Sequence, residues 1–318
     1  MRAIRFAAQL WSQAGDWPRL LEAAVAAEAA GWDSVWTWDH LVSIVGPWEQ
    51  PVLEGWTSMA AIAARTQRIG VGLMVGANTF RTPGQTAKLA VTLDHISDGR
   101  ATLGIGAAYV EREHAAYGID FGSGVGERID RLDESVRVIR RLLDGERFSH
   151  AGPAYRLEDA AVFPLPVQRH MPILIGGMGP RKTLRTVARH ADAWNASGTL
   201  ELMVERDATL REHCAAIGRD HEEIERTTSF PVVLRDDPAA ARSAYARICA
   251  HNGVDAIVGA PPVVGTPAMA AAQLRPYVDA GFTTIVVRLP APYDAETIAR
   301  VGEVREALAA VGAGPAVD

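Results

Sequence analysis

The chain has 318 residues, 48% apolar and 22% charged, the balance of a globular protein with a sizeable core. Its formal net charge is −6 with no basic block, which argues against nucleic-acid binding, and no apolar run reaches membrane-spanning length. The opening MRAIRFAAQL is too short and polar for a secretion signal. Cys214 and Cys249 have no metal-type spacing and read as buried helical thiols of a reducing, cytoplasmic compartment.

Short apolar runs alternate with helical patterns from end to end. In chain order the predicted strands are Ile4–Gln9, Ser34–Trp38, Ile69–Val75, Ala101–Ile105, Pro172–Gly176, Ala193–Ala196, Ser229–Leu234 and Thr284–Arg288. They are short and continuously apolar, as strands buried on both faces are. Between the first two, Asp16 can cap a helix with Pro18 in its first turn, Leu20, Ala23, Ala24 and Ala27 share one face, and Gly31 ends it. Thr82-Pro83 opens a later helix with a Leu89, Leu93, Ile96 stripe. Another carries Ile129, Leu132, Val136, Ile139 and Leu143 on one side. Strand-helix alternation implies a parallel sheet, and eight units favour closure into a single (β/α)8 TIM barrel spanning residues 1–318 as one domain.

Two places break the rhythm. Residues 106–126, after the fourth strand, form an insertion with Tyr109, Glu111, Glu113, Tyr117 and five glycines, which reads as a loop able to lie over a ligand. Residues 147–169 read as a small hairpin excursion before the fifth strand, followed by a proline-rich return.

In a barrel, the residues after each strand converge on one mouth. Here they are Trp11-Ser12-Gln13, Trp38-Asp39-His40, Gly76-Ala77-Asn78, Gly106-Ala107-Ala108-Tyr109, Gly176-Gly177-Met178-Gly179 and Trp194-Asn195. That glycine-rich, aromatic, weakly charged set suits a wide planar ligand. Among nine histidines, only His40 falls at a predicted strand end, where it is a candidate acid–base group or a structural hydrogen-bonding histidine. Gly176–Gly179 precedes a helix expected to begin near Pro180, with Arg181 and Lys182 in its first turn, a pattern suited to phosphate. Seven of eight tryptophans lie in the first 56 residues, and Trp11, Trp48 and Trp56, with Tyr109 and Glu113, are candidate substrate-pocket residues. No cluster has metal-ligand spacing, so no metal is expected.

Several segments, in order, carry a family resemblance: Gly31-Trp-Asp-Ser-Val-Trp-Thr-Trp-Asp-His40, Val75-Gly-Ala-Asn-Thr-Phe-Arg-Thr-Pro83, residues 93–106, Glu111–Gly118, Pro172-Ile-Leu-Ile-Gly-Gly177 and Ala191-Asp-Ala-Trp-Asn195. The chain thereby resembles the luciferase-like monooxygenase superfamily and, within it, the coenzyme F420-dependent (deazaflavin) oxidoreductases. The resemblance implies a flavin or deazaflavin across the mouth, supported by Met74, Val75 and Gly76, often through a non-proline cis peptide. It also implies a phosphate at the loop Gly176, Gly177, Met178, Gly179, with Asp39, Asn78, Gly106, Ala107, Ala108 and Asn195 nearby. His40 would then face the reacting carbon. Ala107-Ala108 stands where the flavin-using branch has a phosphate-gripping arginine, which favours coenzyme F420. The alternatives are an FMN-dependent monooxygenase and a catalytically silent flavin-binding barrel. A small-molecule substrate and a homodimer are the partners it implies.

Overall fold

The computed structural model describes residues 3–311. Eight parallel strands close into a barrel: β1 (Arg5–Leu10), β2 (Ser34–Thr37), β3 (Gly70–Leu73), β4 (Ala101–Gly106), β5 (Ile173–Gly176), β6 (Ala193–Ala196), β7 (Glu225–Leu234) and β8 (Thr284–Leu289). Each pairs with the next, and β8 returns to β1 in a register that sets Gln9 beside Arg288. All eight expected strands are present, Ala193–Ala196 with the expected bounds and the others with shifted ends.

Two shifts have clear causes. β7 begins four residues before the expected Ser229, because Thr227 and Thr228 interrupt the apolar run while lying buried. Inside the barrel the Thr227 and Ser229 hydroxyls accept hydrogen bonds from Asn195 Nδ2, at 2.7 and 3.1 Å, which satisfies polar groups the apolar criterion excludes. The third strand stops at Leu73 rather than Val75. The Met74–Val75 peptide is cis, and Gly76–Ala77 then resumes pairing with the end of β4.

The outer helices are punctuated as the composition suggests. Asp16 caps the helix Trp17–Ala29, whose buried face is Leu20, Ala23, Ala24 and Ala27. Thr82 and Gln85 form a reciprocal capping box on the helix Pro83–Ile96. Its buried face is Ala87, Ala90, Val91 and Leu93, whereas Ile96, expected in the stripe, is exposed. The helix Val125–Leu143 buries Leu132, Val136, Ile139 and Leu143 as expected. Cys214 and Cys249 are buried free thiols in helices.

The insertion after β4 is not a loop throughout. Glu111–Tyr117 is a helix ended by Gly118 at φ +67°, and its Glu113 and His114 are buried. Buried polar anchors hold that helix against the barrel, so it is a wall of the mouth. The excursion before β5 is an antiparallel hairpin of Phe148–Ala151 and Arg156–Ala160. One further strand, Val263–Gly265, extends the sheet beside the end of β7. Among the described residues, no helix is long and apolar enough to cross a membrane.

Candidate active site

The C-terminal strand ends open on a cavity of about 380 Å³. β2 delivers three consecutive residues to it. Trp38 stacks on Trp11 from the end of β1, with ring centroids 4.6 Å apart. Asp39 turns inward and is buried, its carboxylate accepting from both Arg81 guanidinium nitrogens at 2.6 and 3.0 Å and from the Ala77 N–H at 2.9 Å. Burial pushes the Asp39 carboxyl above the usual range, and the Arg81 pair opposes that rise. The contact ties the segment after β3 to the end of β2.

His40, next in the chain, faces the cavity. Its Nδ1 is 3.0 and 3.3 Å from the Glu113 carboxylate oxygens, and Glu113 also accepts the Leu41 N–H at 3.0 Å. Glu113 is 1% exposed, so its lone pairs are spent on these neighbours and not on water. The imidazole stands edge-on to Trp38 and Tyr109, and Tyr109 Oη lies 3.5 Å from Nε2. With Nδ1–H donated to Glu113, Nε2 is the nitrogen left to exchange a proton at the mouth.

The floor lies between strands β3, β4 and β5. Gln9 Nε2 donates to the Met74 carbonyl at 2.8 Å. Val75 folds over the barrel end, and glycines beside it make the space: a Cβ on Gly106 would stand 2.7 Å from its Cγ2, and one on Gly176 3.0 Å from its Cγ1. Gly177, at φ +131°, has its N–H donated to the Asn195 carbonyl and its own carbonyl bonded by Trp194 Nε1. Ala108 sits at φ +61°, a conformation costing an alanine about 1–2 kcal/mol, and swings Tyr109 to the rim.

Of the residues expected at the site, Trp11, Asp39, His40, Met74, Val75, Gly76, Gly106, Ala107, Ala108, Tyr109, Glu113, Gly176, Gly177 and Asn195 line this one cavity. Five others do not. Trp48 is 47% exposed on the loop after β2, with Arg112 over its ring. Trp56 is buried in the first turn of the helix Gly55–Arg65, on the core side. Asn78 spends its amide on Tyr155 Oη of the hairpin, at 3.1 Å. Met178 packs against the core and Gly179 receives the Leu184 N–H, because the chain leaves the mouth there and the helix starts at Thr183, not near Pro180. Arg181 is exposed outside the helix, and Lys182 pairs with Asp130 at 2.6 Å, so neither places its charge in the cavity. Among the described residues, no group of acids, histidines and cysteines is arranged to hold a metal.

Sequence reasoning missed two arginines. Arg81 neutralises Asp39, and Arg288 lines the cavity from β8. A signal existed for Arg288: it is the one charged residue in the run Thr284-Ile-Val-Val-Arg-Leu289.

The molecule is thus a parallel eight-stranded barrel with an imidazole–carboxylate pair at its glycine-floored mouth. Residues 3–256 match the luciferase-like monooxygenase family, and the chain belongs to that family of oxidoreductases. Over 303 residues, it is 31% identical to an F420-dependent glucose-6-phosphate dehydrogenase of Kineococcus radiotolerans, covering 86% of this chain and 87% of that protein. An F420-dependent hydroxymycolic acid dehydrogenase of Mycobacterium tuberculosis is 32% identical over 232 residues, 71% of this chain and 62% of that one. The fold is shared with an F420-dependent secondary alcohol dehydrogenase in complex with an F420-acetone adduct (TM-score 0.82, 18% identity, 96% and 99% coverage). It is also shared with a long-chain alkane monooxygenase (TM-score 0.81, 17% identity, 98% and 92% coverage).

Proposed function

We propose that this barrel is a coenzyme F420-dependent oxidoreductase that moves hydride between the deazaflavin and a small or medium organic substrate. The observation that carries the reading is the His40–Glu113 pair, which lines a glycine-floored cavity of about 380 Å³. The residues fit such a ring. Gly76, Gly106, Gly176 and Gly177 put backbone and no side chain at the floor, and Val75 braces it from below. When bound, a deazaflavin supplies a carbon that gives or takes hydride without activating oxygen. His40 Nε2 moves the proton that accompanies hydride at the substrate, and Glu113 fixes the ring and stabilises its protonated form.

An FMN-dependent monooxygenase is the second reading, and Ala107-Ala108 after β4 argues against it. Those two small side chains at the cavity wall give a flavin phosphate no cation to grip. The names of the relatives support the deazaflavin. Their glucose 6-phosphate is not carried over, because this cavity has largely apolar walls. One domain, a homodimer and a cytoplasmic setting complete the proposal; light scattering at twice the chain's 34.1 kDa checks the dimer.

The test bears on the loop after β5. Gly177→Ile forces a β-branched residue into a φ that costs about 1–3 kcal/mol, and its Cβ meets Thr183 Cγ2 at 3.0 Å. Coenzyme F420 should bind this variant about ten- to a hundred-fold more weakly than it binds the wild type, by calorimetric titration. Unchanged affinity would remove Gly177 from the cofactor site.

A further inference from the structure

Arg288 is the charge at the mouth that the proposed chemistry leaves unused. It stands one residue before the end of β8, in register with Gln9 across the β8–β1 pair, so both side chains point into the barrel and both line the cavity. Its hydrogen bond is donated by Nη1 to the Val258 carbonyl oxygen. Among the described residues no acidic side chain pairs with it.

The surroundings are built to admit the guanidinium. Gly259, at φ +122°, passes close to the guanidinium, and a Cβ there would stand 1.8 Å from Nη1 and push it aside. Burial holds the guanidinium below its usual range, at about 10, which leaves it cationic at neutral pH. The acidic groups at the wall have other partners: Asp39 is paired with Arg81, and Glu113 is hydrogen-bonded to His40. Arg288 is therefore a cation of this cavity without an acidic partner, and it shares the wall with the Trp11–Trp38 stack, Ile44 and Val45. A buried cation without a counter-charge is costly, and a ligand anion that completes the pair removes the cost.

Charge and shape choose among anions. A phosphate dianion would bring two negative charges to one free cation. A carboxylate brings one, and its two oxygens match the guanidinium fork. We propose that Arg288 receives the carboxylate of an apolar monocarboxylic acid, and that the substrate's hydrocarbon part lies against the Trp11–Trp38 stack. This inference rests on the oxidoreductase reading for the meaning of "substrate", but the anion site itself does not.

The experiment measures binding of propionate, hexanoate and cinnamate beside their uncharged amides, with phenyl phosphate as a further probe. It is run on the cofactor-free protein and on protein saturated with reduced coenzyme F420. A charge-assisted bidentate contact is worth about tenfold to a hundredfold, so at least one acid should exceed its amide by that factor in the wild type. Arg288→Met should abolish the preference while amide binding and coenzyme affinity stay within a few-fold; Arg288→Lys, which keeps the charge, should retain part of it. Three results would overturn the inference: acids and amides bound equally, a preference that survives Arg288→Met, or phenyl phosphate bound tighter than every acid. If coenzyme F420 failed to bind, the oxidoreductase reading would fall, and the cofactor-free titrations would still decide the carboxylate site.

Discussion

His40→Asn is expected to lower turnover by about a hundred- to ten-thousand-fold, the usual worth of a positioned acid–base group. Asparagine is close in size and can hydrogen-bond Glu113, yet it cannot carry the proton that must accompany hydride to a carbonyl or polar double bond. Glu113 keeps the Leu41 N–H as a donor in the variant, so the wall formed by Glu111–Tyr117 should stay in place. Coenzyme F420 affinity should therefore remain within a few-fold of wild type. Oxidation of the reduced coenzyme by substrate gives the rate, and titration gives the affinity. A loss of affinity with unchanged turnover at saturation would make His40 a cofactor-positioning residue.

The second large effect is on stability. Arg81→Met would leave the buried Asp39 carboxylate with only the Ala77 N–H, and breaking a buried pair from one side costs about 3–5 kcal/mol. Urea unfolding of the cofactor-free variant should show that loss. Asp39→Asn/Arg81→Met should recover part of it, because no unpaired charge then remains. A loss below about 1 kcal/mol, the worth of a surface ion pair, would mean the pair contributes little.

The barrel was legible because most of its strands are buried on both faces and so read as short, largely apolar runs. Where a buried strand carries polar residues, as at Thr227 and Ser229, the signal failed, since their satisfaction by Asn195 comes from the neighbouring strand. The helix Glu111–Tyr117 went unread because it is seven residues long, has no side-chain cap and lies among glycines.

The site was legible to the extent that topology brings strand ends together. His40, Gly106 and Gly176 reach the mouth by position alone. Direction after a strand end is set by contacts distant in sequence, which is why Trp48, Trp56 and Asn78 fall outside. Glu113 was visible as a candidate, but its attachment to His40 depends on a helix 73 residues away. Arg81 and Arg288 act through long side chains, and no periodicity encodes where a guanidinium ends.

The measurement that bears most directly on the central claim is an anaerobic titration of the cofactor-free protein with oxidised and reduced coenzyme F420 and with oxidised and reduced FMN. The account predicts saturable binding of coenzyme F420 in both states, tighter than FMN by about tenfold or more, a difference of about 1.4 kcal/mol or greater. Binding of FMN alone, with coenzyme F420 excluded, would contradict it.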